Sequence, residues 1–348
     1  MKGSQSQMLE IIKMNYKETI EYLIANTSLR EAKVFEFAGD PGEEYFQKLF
    51  EFYTGNLKHN SHFGANPSFI VYYGKNEVYA EAKKSNAHYI LAFDKGIVYR
   101  LERWFGLYFD FDQITELESF KELSKELDHK ISELLEQSIN HFTFYHEFAH
   151  LIQFAQEESF EREDYLTGNC EYDENMQTEE FDADTFAGIC LATHLFQLIH
   201  KWMTGRMNNH NLNELTSIIV GSVMAYILAL PMCKEEFYTE EGSHPHNSIR
   251  ALNILGVIST HFKEILVKKN YQLSIDDGNL FRRSAIVLEK LLIQFGLEDT
   301  FKRFQLDVRD NGTAIKSYHE TLKSRMIAYE FSAVKQWNAQ NKIKKDYL

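Results

Sequence analysis

Two histidines four residues apart, His146 and His150, with Glu147 between them, are the residues in this chain best suited to chemistry. They lie in the run HFTFYHEFAHLIQF. Read as a helix, that run places Phe142, Tyr145, Ala149 and Ile152 at spacings of three and four, which forms one buried stripe. The same geometry stacks the two imidazoles on one face and turns Glu147 away from it. Two imidazoles on one face, with a carboxylate that cannot point the same way, make a zinc clamp with an adjacent general base. The bland alternative is a chance HExxH in an ordinary amphipathic helix. Against it stands the apolar setting: a charge buried among these aromatic side chains is costly unless a metal or partner compensates it.

A catalytic zinc takes three protein ligands and keeps one position open. The metzincin pattern HExxHxxGxxH is excluded, because Gln153 and Gln156 stand where its glycine and last histidine would be. The other common solution puts a glutamate on a following helix, with an acid one turn later. Glu180 and Asp184 fit, being four apart on one face. Glu180 is then the third ligand, and Asp184 accepts a hydrogen bond from the outer nitrogen of a ligating histidine. Glu179 and Asp182 are rival ligands, but neither has an acid four residues on. Acids opening a helix can also be explained by its dipole alone.

HEFAH followed by EFDAD resembles the gluzincin peptidases, in particular the HtpX-like and CAAX-prenyl-protease-like branch. A narrower likeness is to soluble peptidases of the phage-exclusion type. Two further pieces carry the resemblance: Asn86-Ala87 leads into HYILAF, and His244-Pro245 is followed by Arg250, six residues after the histidine. The likeness spans about residues 85–250, and the branch's multi-span membrane architecture is missing from it. It implies a zincin-like fold and one Zn2+ per chain, with Glu147 passing a proton from water to a leaving amine. It also implies that His244 or His246 donates to the developing oxyanion. Arg250 either pairs with Asp184 or clamps a substrate carboxylate. A strand containing Asn86, Ala87, His88 and Tyr89 would hold a protein or peptide substrate as an added strand.

The elements around these residues read as mostly helical. The periodicity predicts helices near the N-terminus and over 44–53, 97–107, 117–135 and 178–203, with an acidic surface loop over 161–177. Short runs rich in Ile, Val, Tyr and Phe at 68–73, 77–81 and 88–93 predict a small sheet, antiparallel in its first pair, with Lys83-Lys84-Ser85-Asn86 as a separator. The expectation is an α+β, zincin-like fold, mostly helical with a small antiparallel-edged sheet. It divides into an N-terminal helical extension over 1–65, a metallopeptidase core over 66–255 and a C-terminal helical region over 256–348. His59 and His62 read as solvent-exposed, and His194 and His200 as core or edge histidines.

Composition bounds the partners. A net charge of −14 argues against nucleic acid, since phosphate binding needs clustered Lys and Arg. Residues 215–233 carry no charge, but their polar residues and Pro231 suit a core helix better than a membrane span. Three cysteines without a close pair suit reduced thiols and a cytoplasmic protein. The rival functions are a regulatory module with structural zinc and a membrane-anchored processing protease. An intact Glu147 disfavours the first.

Overall fold

The computed structural model describes residues 14–105, 123, 131–157, 161–163, 171–202 and 207–346. It is an α+β protein, mostly helical, with one small mixed sheet. The chain forms two compact units: one comprises Met1–Glu102, Glu147–Leu166 and Glu330–Leu348, the other Arg103–His146 and Thr167–Tyr329.

The first unit contains the sheet. Helix α1 (Tyr16–Asn26) starts at a capping box, in which Asn15 accepts from the Glu18 amide and Glu18 accepts from the Asn15 amide. Helix α2 (Glu43–His59) has acids in its first turn and Lys58 and His59 in its last, in line with its dipole. Strands β1 (Ser68–Tyr73), β2 (Ala80–Ser85) and β3 (His88–Asp94) follow, then helix α3 (Lys95–Phe105). The sheet order is β1-β3-β2-β4, where β4 is the short strand Glu161–Glu163. Leu23, Leu29, Phe69, Val71, Ile90 and Ala92 form the core beneath it.

Three sheet expectations need correction. The first two strands are not paired with each other: β3 lies between them, parallel to β1 and antiparallel to β2. Only the β4 edge is antiparallel to its neighbour, so the sheet is mixed-edged. The separator Lys83-Lys84-Ser85 is instead the second half of β2, and both lysines are buried. A buried lysine needs its ammonium satisfied, and Lys84 supplies the reason here. Its Nζ donates to the carbonyls of Phe154 (3.0 Å) and Glu157 (2.7 Å), closing the C-terminal end of helix α4 (Ile131–Gln156). The connection from β1 to β2 is pinned at Gly96, where an added Cβ would stand 2.3 Å from the backbone of Asn76. Helix α10 (Ala333–Asp346) completes this unit, and Gln336 donates to Gln156 at the end of α4.

The second unit is helical. After the first part of α4 come α5 (Glu174–Trp202), α6 (Asn209–Leu228), α7 (Asn247–Lys268), α8 (Asp277–Gln294) and α9 (Glu298–Ala328). Helix α6 begins earlier than residue 215 and stops before Pro231, with Asn208 as its cap. It is long and apolar enough to cross a membrane, yet its apolar window is wholly buried inside the protein, packed on α7 and α8. Its one buried acid, Glu214, is held bidentately by Arg283 at 2.9 and 2.6 Å. Gly221 lets α8 approach: a Cβ there would lie 2.7 Å from Val287 Cβ and 2.8 Å from the Ser284 carbonyl.

The expectation of three reduced thiols is also corrected. Cys190 is buried and free, but Cys233 is disulfide-bonded, and Cys170 lies outside the described residues. The cysteines therefore no longer argue for a reducing compartment. The helix expected over 117–135 and part of the loop expected over 161–177 also fall largely outside the described residues.

Candidate metal centre

The sequence suggested an amphipathic helix with one buried stripe around HExxH. Helix α4 is instead buried on every side from residue 138 to 154. His146, Glu147 and His150 are 8%, 7% and 2% exposed. Ionisable groups enclosed this way need compensating charge or hydrogen bonds, which makes their neighbours informative.

Helix α5 brings the acids. It starts at Glu174, so Glu180 and Asp184 lie in its second and third turns, beyond the reach of a first-turn dipole effect. Both are buried, at 1% and 0% exposure. His146 stands between them: its Nε2 is 3.3 Å from Glu180 Oε2 and its Nδ1 is 3.0 Å from Asp184 Oδ1. One ring nitrogen thus faces the expected ligand carboxylate and the other faces the expected orienting one. Burial alone would lower the His146 pKa, but the bonds to Asp184 and Glu180 outweigh it and raise the pKa to about 9. The pocket is built for positive charge.

Arg250, on α7, donates from Nε to Asp184 Oδ2 (2.8 Å) and from Nη2 to Asp184 Oδ1 (2.9 Å). Of its two expected roles the geometry matches the ion pair. Burial raises the Asp184 pKa, but Arg250 beside it more than reverses this and holds the carboxyl down at about 2. Arg250 also comes within 3.8 Å of Glu180 Oε2.

The two candidate oxyanion donors separate. His244 Nε2 is 3.2 Å from Glu180 Oε1, while its Nδ1 is 2.8 Å from Ser243 Oγ. It therefore contacts the second oxygen of the expected metal carboxylate, and its side chain is 23% exposed. His246 is turned elsewhere: Nδ1 accepts from the Ser248 amide at the start of α7, and the ring lies against Phe237 and Tyr238. It is a helix cap, and its expected catalytic role is corrected accordingly. Gln177 fixes the loop before them, donating to the carbonyls of Glu241 (2.8 Å) and Gly242 (3.2 Å). Tyr318 in turn donates to Gln177 Oε1.

The expected substrate strand is corrected too. Asn86 and Ala87 form the tight turn between β2 and β3, with Asn86 at φ 54°, a left-handed conformation that asparagine tolerates. His88 and Tyr89 begin β3, whose two edges are already filled by β1 and β2, so it cannot take an added strand. His88 contacts the Tyr22 hydroxyl at 3.1 Å.

Of the rival ligands, Glu179 accepts from the Tyr329 hydroxyl, and Asp182 is buried outside the ligand group. His141, on the metal helix, packs its ring 3.7 Å from that of His194 on α5. His200 meets Tyr271, and His59 and His62 are exposed. Sequence reasoning missed Gln153, whose Oε1 lies 2.8 Å from His150 Nδ1 with both side chains buried. A glutamine three residues after a histidine on a buried helical face was the available signal.

His150 follows His146 by one turn of an unbroken helix, and the ligand atoms of His146, His150 and Glu180 lie within 4.8 Å of one another. Two donors bound to a tetrahedral ion at about 2.0–2.1 Å stand about 3.3 Å apart. The 3.3 Å between His146 Nε2 and Glu180 Oε2 matches that spacing. Two imidazoles and a carboxylate also form a donor set suited to a borderline divalent cation. These three buried residues can hold a metal ion. Set against protein-family models, curated proteins and solved structures, the chain finds no match.

Proposed function

We propose that this chain is a zincin-like metallopeptidase: zinc held by His146, His150 and Glu180, with Glu147 as general base, hydrolyses peptide bonds in a protein or peptide substrate. The observation that supports it is the assembly of His146, His150 and Glu180 into one buried group on neighbouring turns and helices, with Glu147 next in the chain to His146. The choice of zinc rests on the ligand types. The choice of a peptide bond rests on the likeness of HEFAH and EFDAD to gluzincin motifs.

When bound, the ion acts as a Lewis acid that makes water nucleophilic near neutral pH. The protein does the rest. Glu147 takes the proton released from the attacking water and returns it to the leaving amine. Asp184, anchored by Arg250, holds His146 with its Nε2 toward Glu180. His244 steadies Glu180 through the oxygen that does not face His146, and Ser243 steadies His244.

The test pairs metal content with cleavage. Wild type should hold about one zinc per chain, and Glu180→Ala should lose most of it. Glu147→Gln should keep the zinc and lose cleavage of a broad peptide library. A wild type that binds zinc but cleaves nothing would favour a structural-zinc module instead. Full occupancy in Glu180→Ala would show that the third ligand is wrong.

A further inference from the structure

We propose that Gln153 is a positioning residue for His150, selecting the ring tautomer that leaves Nε2 as the donor atom. The proposal rests on the metal reading above, but concerns an atom-level choice that reading leaves open. An imidazole can present either nitrogen to a cation, and the hydrogen bond made by the other nitrogen decides which. For His150 that partner is an amide oxygen, Gln153 Oε1, 2.8 Å from Nδ1. An amide oxygen only accepts, so the shared proton sits on Nδ1 and the lone pair on Nε2. His150 and Gln153 are 2% and 0% exposed, so water does not compete for the bond.

The two histidines are therefore held by partners of different charge. His146 is held by a carboxylate, Asp184, whose charge Arg250 balances at 2.8 and 2.9 Å. A second buried carboxylate behind His150 would need a second counter-charge. A neutral amide orients the ring without adding charge. Helix geometry supplies the placement, since residues three apart share a face and Gln153 reaches back along it.

The test uses the full chain and three proteins: wild type, Gln153→Leu, which fills the space without an acceptor, and Gln153→Glu, which restores one. Long-range nitrogen–proton correlation spectra of the metal-free proteins should show His150 protonated on Nδ1 in the wild type, with that preference lost in Gln153→Leu. Zinc affinity, read by chelator competition, should fall on the order of 10–100-fold in Gln153→Leu, the usual loss for such partners, and recover in Gln153→Glu. A wild-type His150 protonated on Nε2, or equal affinities in wild type and Gln153→Leu, would overturn the proposal. No zinc binding by the wild type would instead remove the metal reading, and the proposal with it. If Gln153→Leu does not fold, the wild-type tautomer still decides.

Discussion

Replacing Arg250 by methionine should destabilise the metal-free protein by about 3–5 kcal/mol at pH 7, the usual result of stripping one partner from a buried ion pair. Methionine keeps the apolar stem and removes the fork that gives Asp184 its two bonds of 2.8 and 2.9 Å. Asp184 is fully buried, and its remaining charged neighbour is His146 at 3.0 Å. With the guanidinium gone, the carboxylate keeps only the His146 imidazolium beside it, and taking a proton relieves the remaining deficit. The cost of protonating an ordinary carboxyl falls by about 1.4 kcal/mol for each unit of pH lost between 7 and 4. The penalty should therefore be largest near pH 7 and shrink as the solution is acidified toward pH 5. In the wild type the sign is the reverse. Asp184, held at about 2, contributes stability that is complete above its unfolded pKa and is lost as pH falls through the folded one. Urea unfolding of wild type, Arg250→Met and the double variant Arg250→Met/Asp184→Asn at pH 5 and pH 7 reads the penalty. Wild-type unfolding followed from about pH 4 down toward the folded pKa reads the loss of the Asp184 contribution. The double variant should recover much of the loss, because no charge is left unpaired. A loss below about 1 kcal/mol, or a loss unchanged across that pH range, would refute the reasoning.

Three other perturbations follow from the same geometry. Lys84→Met removes the donor to the Phe154 and Glu157 carbonyls and should cost about 1–3 kcal/mol, with faster amide exchange confined at first to the last turn of α4. Gly221→Ala forces a methyl group to within 2.8 Å of the Ser284 carbonyl and should cost about 1–3 kcal/mol in thermal or urea unfolding. Burial lowers the His141 pKa, and so does the neighbouring His194, whose own pKa burial lowers in turn. Stability from these neutral rings is complete above about pH 6.5 and lost as pH falls below it, because the unfolded chain takes the protons first. His141→Leu should flatten that acid limb between pH 6.5 and 5 by up to about 1.4 kcal/mol per unit, measured as unfolding midpoints.

Elements with a strong period were legible in the sequence. β1 falls on its expected residues, and the helices carrying His146 and Glu180 lie where their spacing put them. What the sequence hid was long-range or one-atom detail. The pairing of β3 with β1 depends on how the chain between them loops, which alternation alone does not encode. Lys83 and Lys84 looked like turn residues because charge usually signals solvent, and only the carbonyls that end α4 explain Lys84 in the interior. The burial of α4 on all sides is invisible to a periodicity test, because His146, Glu147 and Gln153 count as polar there. His244 and His246 flank one proline, yet one meets Glu180 and the other caps a helix, a division that no residue-type rule makes.

The Lys84 tether ties the register of β2 to the end of α4. Side chains alternate between faces along a strand, so a slip of one residue in β2 would swing Lys84 to the wrong side and bring Lys83 or Ser85 into its place. Serine is too short to span that gap. A strand misaligned in the direction that brings Ser85 there would thus leave the Phe154 and Glu157 carbonyls wanting a donor, at the end of the helix that carries His150. Correct zippering of the hairpin and a sound end to the histidine-bearing helix are, in that sense, a single event.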